Sequence, residues 1–219
     1  MTRILYLHGF ASSPSSNKAR YFREKLEAAG VRVDVPDLAE GDFRHLTITG
    51  QLRVVERAAG GQAVSLIGSS MGGYLAALYA ARHAEVERIA LLAPAFGFAR
   101  RWKEELGAAR IEEWRRAQVM PVFHYGENRE RDLAFQLLDD AEQYEDYPDV
   151  QQPTLIFHGA HDETVPARHS QEFAAKRPNA RLEIVDSSHD LLNALEDIAP
   201  KVLRFLAGRA ATPPLESSS

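Results

Sequence analysis

A serine lies at the centre of a short turn flanked by glycines, where its hydroxyl could act as a nucleophile. Residues 68–72 read G-S-S-M-G, which matches the pattern G-x-S-x-G with Ser70 in the middle. The apolar run at 63–67 predicts a buried strand, and the Ala- and Leu-rich run at 74–83 predicts a helix. A G-x-S-x-G pattern between a strand and a helix is typical of a nucleophile elbow, which presents the serine hydroxyl at the carboxyl edge of a sheet.

A glycine-rich turn before a helix could instead be a loop that binds phosphate. The sequence around Ser70 has neither a Gly-Lys-Ser/Thr ending nor a G-x-G-x-x-G pattern, so the phosphate loop is the weaker interpretation. The elbow also accounts for Gly68 and Gly72, because the positions two before and two after the serine have little room for a side chain. Amides at the start of the following helix would stabilise negative charge on a reacting oxygen.

A serine nucleophile needs a base to take its proton and an acid group to orient that base. Two later stretches, 154–157 and 181–185, predict strands, and each leads into one of these groups. Asp162 follows the first run and His189 follows the second. The order serine, aspartate, histidine, with each residue just beyond a strand, is the order expected at the carboxyl edge of an open α/β sheet. We therefore predict that Ser70 is the nucleophile, His189 the base and Asp162 the acid.

Each of these assignments has an alternative. Asp162 could be a turn or capping residue, and His189 could cap the last helix. Asp186 and Asp190 are rival acids, but both are close in sequence to His189 and are therefore less able to approach the far side of its ring.

His158 and His161 lie next to Asp162 in sequence, which also suggests a metal site. These residues lie in a loop and no further well-spaced ligand accompanies them, so we expect no metal there. The chain has no cysteine, which excludes disulfides, a cysteine nucleophile and thiolate metal ligands.

Two backbone amides are needed to stabilise the oxyanion that forms when a serine attacks an acyl carbonyl. The first is expected from Met71, the residue after the nucleophile. The second is expected from the loop after the first strand, where Phe10 is the best candidate and Ala11 the next. We also count Ala11 among the candidates for substrate contact.

Length and composition fit one globular domain, and the predicted triad makes a small-molecule ester or thioester its expected partner. The chain has 219 residues, of which 45% are hydrophobic and 26% charged, and this is typical of a globular domain. The net charge of −5 gives no reason to expect a nucleic-acid partner. No apolar run is long enough for a membrane span or a signal peptide, so we expect a cytoplasmic protein. We expect it to be a monomer or homodimer.

The pattern of apolar runs predicts strands that alternate with helices, hence a mainly parallel sheet of about six strands with helices on both faces. The predicted strands are residues 3–7, 31–35, 63–67, 88–92, 154–157 and 181–185. The predicted helices outside the interval 97–150 are residues 16–29, 47–59, 74–83 and 193–206. Residues 1–96 and 151–208 form the predicted core, and 209–219 a flexible tail.

The interval 97–150 is too long for a plain connection between the fourth and fifth strands. It contains two helical patterns, around 100–117 and 130–144, and both tryptophans of the chain, Trp102 and Trp114. We interpret it as a helical cap over the site, with both tryptophans as candidates for substrate binding. The alternative is a set of helices packed on the core with no role in binding.

The motifs together resemble the α/β-hydrolases. Residues 6–14 (Y-L-H-G-F-A-S-S-P) and 68–74 (G-S-S-M-G-G-Y) are similar to those of the YqiA-type small bacterial esterases. The animal ABHD-type acyl-protein thioesterases and acyl-glucuronide esterases are more distantly similar. The resemblance implies an α/β-hydrolase fold and hydrolysis of esters or thioesters through an acyl-enzyme, without a cofactor.

The residues and the resemblance together predict a serine carboxylesterase for short- to medium-chain or apolar acyl groups. An acyl thioesterase, acting on acyl-CoA or acyl-protein, and a C–C bond hydrolase would use the same triad and remain open. The fold also hosts lyases, haloperoxidases and binding proteins. A binding protein has no need of Ser70, Asp162 and His189 together, and a peptidase lacks support because no acidic patch is evident to hold a free amine.

Overall fold

A six-stranded parallel sheet forms the centre of the computed structural model, which describes residues 3–208. Its strands are β1 (Ile4–Leu7), β2 (Val33–Asp34), β3 (Val64–Ser69), β4 (Val86–Leu92), β7 (Thr154–Gly159) and β8 (Ala180–Val185). They lie in the order β2-β1-β3-β4-β7-β8, and every neighbouring pair is parallel. All six predicted strands are confirmed. The predicted tail 209–219 lies outside the described residues.

Helices cover both faces of the sheet, as the sequence predicts. They are α1 (Asn17–Ala28), α2 (Ile48–Ala59), α3 (Met71–Ala80), α6 (Arg168–Ala175) and α7 (Leu195–Leu206). Because successive side chains of a strand point to opposite faces, β1 contributes to two cores. Its Leu5 and Leu7 pack with α2 and α3, whereas its Ile4 and Tyr6 pack with α1 and α7. The fold is therefore an α/β-hydrolase fold with a layer of helices on each side.

The segment between β4 and β7 contains α4 (Phe98–Ala117), β5 (Val119–His124), β6 (Arg129–Ala134) and α5 (Gln136–Ala141). The predicted helix at 100–117 is confirmed, although it breaks at Gly107, whose φ is 73°. The predicted helix at 130–144 is wrong in its first part, because β6 pairs with β5 as an antiparallel hairpin. The inserted segment therefore combines helices with a hairpin.

The hairpin was hidden by its composition. Residues 129–132 read R-E-R-D, and such a charged run has no apolar alternation to indicate a strand. Only Leu133 of β6 is buried, and it lies four residues before the buried Leu137 of α5, which is a spacing typical of a helix. No helix within residues 3–208 has both the length and the apolar character needed to cross a membrane.

Candidate active site

Ser70 occupies the sharp turn between β3 and α3. Its φ and ψ of 54° and −119° lie in a region that residues with a side chain rarely adopt. Backbone hydrogen bonds hold it there: its N–H donates to the carbonyl of Leu92 at 2.9 Å, and its carbonyl accepts from Ala95 N–H at 3.0 Å. The turn therefore has the strained geometry of a nucleophile elbow, fixed by β4 and the loop after it.

The glycines on either side of Ser70 have no space for a side chain. A Cβ on Gly68 would lie 2.3 Å from the carbonyl oxygen of Gly72. A Cβ on Gly72 would lie 2.1 Å from the carbonyl oxygen of Leu7 in β1. Close backbone packing thus explains why both positions require glycine.

Ser70, His189 and Asp162 lie next to one another in the folded chain. Ser70 Oγ lies 3.0 Å from His189 Nε2, and His189 Nδ1 lies 2.7 Å from Asp162 Oδ2. In the neutral imidazole this arrangement has Nδ1–H donating to the carboxylate and Nε2 accepting from the serine hydroxyl. Asp162 follows β7 and His189 follows β8, so the carboxyl edge of the sheet supplies all three groups.

The carboxylate of Asp162 is fully buried and held on both oxygens. Oδ1 accepts from the N–H groups of Thr164 at 2.9 Å and Val165 at 2.7 Å. Burial raises the pKa of Asp162, but contact with His158 and hydrogen bonds from His189 and Val165 outweigh it and lower the pKa below its usual range. The group is therefore ionised at neutral pH and can accept from an imidazole.

The rival acids lie elsewhere. Asp186 has a side chain that is 95% exposed, and its Oδ1 lies 2.9 Å from His161 Nε2. Asp190 accepts from Ser188 Oγ at 3.0 Å and from the N–H of Leu192 at 3.1 Å. Asp162 is the carboxylate in hydrogen-bond contact with His189 in the described chain.

The backbone amides expected to stabilise an oxyanion lie at the ends of β1 and β3. Met71 begins α3 directly after Ser70, and Phe10 lies in the loop after β1. Within residues 3–208, neither N–H donates to another protein group. Ala11 is buried with a φ of 51°, and its carbonyl accepts from the N–H of Gly126 in the hairpin at 3.3 Å.

Aromatic rings connect the inserted segment to the loop after β1. The ring centroids of Phe10 and Trp102 are 5.2 Å apart, and those of Trp102 and Trp114 are 5.8 Å apart. Trp102 is partly buried, whereas Trp114 is only 2% exposed and donates its indole N–H to the carbonyl of Leu133 at 3.0 Å. Trp102 is therefore the more accessible of the two tryptophans predicted to bind substrate.

The profile of one protein family, described as "Uncharacterised protein family (UPF0227)", matches residues 3–207. The chain belongs to the UPF0227 family. Among solved structures, the UPF0227 chain is similar to Est1E of Butyrivibrio proteoclasticus with bound ferulic acid, at a TM-score of 0.80 and 22% identity, covering 97% of this chain and 90% of that one. It is also similar to mouse alpha/beta hydrolase domain-containing protein 10, at a TM-score of 0.78 and 18% identity, covering 94% and 89%.

Over a short stretch, the UPF0227 chain is also similar in sequence to the poly(3-hydroxyalkanoate) depolymerase of Ectopseudomonas oleovorans. The two are 38% identical over 58 residues, which is 26% of this chain and 20% of the depolymerase. The match spans about a fifth of that relative's length. The two structural likenesses show the α/β-hydrolase fold of the UPF0227 chain.

Two cations near Asp162 gave no signal in the sequence. Arg101 of α4 is 8% exposed and donates to the carbonyls of Phe96 at 3.3 Å and Thr164 at 3.0 Å. Burial lowers the pKa of Arg101, while nearby Glu105 and Asp162 raise it. Lys18 of α1 is partly exposed, and burial lowers its pKa to about 8 against the attraction of Asp190 and Asp162. Both residues stand in charged, helical stretches that look like ordinary solvated surface.

The structure separates the two histidines that suggested a metal. His158 is fully buried, with Nδ1 2.7 Å from Ser170 Oγ and Nε2 2.7 Å from the carbonyl oxygen of Val165. His161 turns outward to Asp186. Among the described residues, no group of three or more His, Asp or Glu side chains is arranged to hold a metal ion.

Proposed function

We propose that this UPF0227 protein is a serine hydrolase that cleaves carboxylic esters through Ser70, His189 and Asp162. The observation that carries the proposal is the continuous pair of contacts from Ser70 Oγ to His189 Nε2, 3.0 Å, and from His189 Nδ1 to Asp162 Oδ2, 2.7 Å. A base within hydrogen-bond reach of a hydroxyl, itself oriented by an ionised carboxylate, is the arrangement that serine nucleophiles require.

In the first half of the proposed reaction, Ser70 Oγ attacks the acyl carbonyl while His189 Nε2 takes its proton. The carbonyl oxygen becomes an oxyanion, which the N–H groups of Met71 and Phe10 stabilise. Asp162 keeps the imidazole in the Nδ1–H tautomer and stabilises its charged form. His189 then gives the proton to the leaving alcohol as the ester C–O bond breaks, which leaves an acyl group on Ser70.

In the second half, a water molecule attacks the acyl-enzyme in the same geometry. His189 accepts a proton from the water and returns it to Ser70 Oγ as the acyl bond breaks, so the products are the free acid and the regenerated serine. No cofactor takes part in either half.

The side of the site that faces the inserted segment is aromatic. Phe10 contacts both Trp102, at 5.2 Å between centroids, and Phe43, at 5.5 Å. This surface supports an acyl group with apolar or aromatic character. The ferulic acid bound by Est1E and the name of the depolymerase are compatible with a hydrolase of this kind.

The proposal is tested by hydrolysis of p-nitrophenyl esters from acetate to palmitate. The wild type is compared with Ser70→Ala and with the control Ser188→Ala. Ser188 is next to His189 in sequence, but its exposed hydroxyl donates to Asp190 rather than to His189. We expect Ser188→Ala to keep wild-type activity and Ser70→Ala to lose at least about a thousandfold in kcat. Activity that survives Ser70→Ala would exclude the proposed nucleophile.

Thioesters and diketones serve as the comparison substrates. Faster release of a thiol than of an alcohol from matched acyl groups would assign the protein as a thioesterase. Cleavage of a diketone without cleavage of aryl esters would assign it as a C–C bond hydrolase with the same triad.

A further inference from the structure

A second histidine lies against the carboxylate of Asp162. His158 Nε2 is 3.1 Å from Asp162 Oδ2, the same oxygen that contacts His189, and both side chains are fully buried. His158 comes from the end of β7, and Asp162 from the loop that follows, so both belong to one short stretch of chain. The proposed reaction mechanism assigns no role to this imidazole.

The surroundings of His158 fix which of its nitrogens carries a proton. Nε2 lies 2.7 Å from the carbonyl oxygen of Val165, which can only accept a hydrogen bond. Nε2 is therefore the protonated nitrogen. Nδ1 lies 2.7 Å from Ser170 Oγ, whose hydroxyl can donate to it. Ser170 at one end and Val165 at the other hold the ring in a single orientation.

This orientation links His158 to both oxygens of the carboxylate. Its N–H is directed to the carbonyl of Val165, and the amide of that same residue donates to Asp162 Oδ1 at 2.7 Å. The same nitrogen, Nε2, lies 3.1 Å from Asp162 Oδ2. One imidazole thus fixes the loop that holds the first oxygen and lies directly against the second.

We propose that His158 is a positioning residue for the reaction proposed above, which holds the Asp162 carboxylate in the geometry that orients His189. The inference rests on the proposed function. A histidine that only filled the core would be equally satisfied by its contacts to Ser170 and Val165. The contact with Oδ2 is what gives the ring a place in the reaction.

Other charged groups also act on this carboxylate from the elements packed around it. Arg101 from α4 and Lys18 from α1 are opposite charges near Asp162, and His189 contacts it directly. These cations remain when His158 is replaced. A change in the rate of Ser70 in such a variant therefore reports the loss of the imidazole rather than the loss of all positive charge around Asp162.

The first test uses the wild-type protein with ¹⁵N-labelled histidine. Nitrogen chemical shifts distinguish a protonated from an unprotonated ring nitrogen. We expect Nε2 of His158 to carry a proton at neutral pH. A tautomer with Nε2 unprotonated would remove the contact to Val165 and would overturn the proposal without any variant.

The second test measures how fast Ser70 reacts with a p-nitrophenyl alkylphosphonate. In this reaction an O–P bond forms at Ser70, the P–O bond to p-nitrophenolate breaks, and the proton of Ser70 passes to His189. The variants are His158→Phe, which keeps a ring without a donor, and His158→Gln, whose amide N–H can reach the carbonyl of Val165. His161→Ala is the matched control, since this neighbouring histidine is exposed and bonds Asp186.

We expect His158→Phe to lower the maximal labelling rate by about ten- to a hundredfold, because the buried carboxylate loses one polar contact and the loop that holds its other oxygen loses a hydrogen bond. The concentration for half-maximal rate should change by less than about twofold, because the phosphonate does not touch His158. His158→Gln should recover to within about threefold of the wild type. If His158→Phe does not fold, His158→Gln compared with His161→Ala carries the test.

The outcomes separate this proposal from the proposed function. A wild type that labels at Ser70 while His158→Phe labels at the same rate overturns the role of His158 alone. Wild-type protein that shows no labelling, although Nε2 of His158 carries its proton, overturns the proposed function and with it the place of His158 in catalysis. Slow labelling that His158→Gln does not rescue assigns His158 to the core and also overturns the proposal.

Discussion

The indole ring of Trp102 meets the phenyl ring of Phe10 edge to face, with centroids 5.2 Å apart and planes at 89°. Trp102 belongs to the inserted segment, and Phe10 is the residue whose N–H we propose to stabilise the oxyanion. The contact therefore joins the inserted segment to the proposed chemistry. On the proposed function, Trp102 is the residue through which we expect the inserted segment to select an acyl group.

Trp102→Ala is expected to change the acyl preference rather than abolish activity. Removing the indole takes away apolar surface from the proposed acyl side, so kcat/KM for long or aromatic acyl esters should fall by about tenfold while acetate changes little. The measurement is the ester series on Trp102→Ala, with Phe123→Ala, an exposed residue of the hairpin, as control. An unchanged chain-length profile would show that the inserted segment does not select the acyl group.

Trp114→Ala is expected to act on stability. The side chain is 2% exposed and donates its N–H to the carbonyl of Leu133, so truncation leaves a cavity and removes one hydrogen bond. We expect a loss of about 3–5 kcal/mol in the free energy of unfolding, measured with a denaturant. Trp114→Phe should lose less because it fills most of the space. A variant as stable as the wild type would contradict the packing described for α4 against β6.

The sequence indicates most of the proposed site because each of its residues follows a predicted strand: β3 and β7 are buried, and β8 is half-buried at the edge of the sheet. The runs before Ser70, Asp162 and His189 are apolar or nearly so, and parallel strands place their carboxyl ends at one edge. Order along the chain and strand placement were therefore sufficient to bring these three residues together. Gly68 and Gly72 added a steric requirement that the backbone packing of the elbow explains.

The contacts that surround the triad depend on distances that no local pattern carries. The proposed role of His158 could be predicted only from the folded structure, in which Ser170 and Val165 lie on either side of its ring. Arg101 lies near Asp162 because α4 packs against the loop after β7, where its guanidinium donates to the carbonyl of Thr164. Its sequence context is that of a charged helix surface. The hairpin strand at Arg129–Ala134 is stabilised by pairing with β5 rather than by its own propensity.

Gly72→Ala is expected to disrupt the elbow. A Cβ at this position would lie 2.1 Å from the carbonyl oxygen of Leu7 and 2.5 Å from that of His8, so α3 must move away from β1. We expect a loss of about 1–3 kcal/mol in stability together with loss of the proposed esterase activity. Gly61→Ala is the control for steric contact, because no atom lies within 4 Å of a Cβ at Gly61. Its φ of 65° adds a backbone strain that Gly72, which lies in α3, does not have, so any loss at Gly61 reports that strain alone. Equal stability and activity of the two variants would contradict the close approach of β1 and α3.

Asp162→Asn is expected to reduce both kcat and stability, the latter in a pH-dependent way. The pKa of Asp162 in the folded protein lies below its usual value of about 4. Its stabilising contribution is therefore fully present above the unfolded pKa, and it is lost as the pH falls toward the folded pKa. The difference in unfolding free energy between the wild type and Asp162→Asn should be largest at neutral pH and shrink in acid.

Denaturant unfolding of both proteins between neutral pH and the acid range measures that difference, and ester hydrolysis measures kcat. We expect kcat to fall by about three to four orders of magnitude, because asparagine no longer selects the tautomer of His189 that can act as a base. Asp186→Asn, at an exposed site, is the control. A stability difference that stays constant with pH would contradict the lowered pKa.

Lys18→Met is expected to stabilise the protein at neutral pH. Burial lowers the pKa of Lys18 to about 8, so the folded state holds this charge at a cost that the unfolded state avoids. As the pH rises from about 8 toward the ordinary lysine value of about 10.4, the folded protein releases the proton first and the wild type gains stability relative to the variant. Unfolding curves across that window test the sign. Lys25→Met, on the exposed side of the same helix, controls for the substitution itself. A wild type that loses stability relative to Lys18→Met over this window would show that attraction to Asp162 and Asp190 outweighs burial at this lysine.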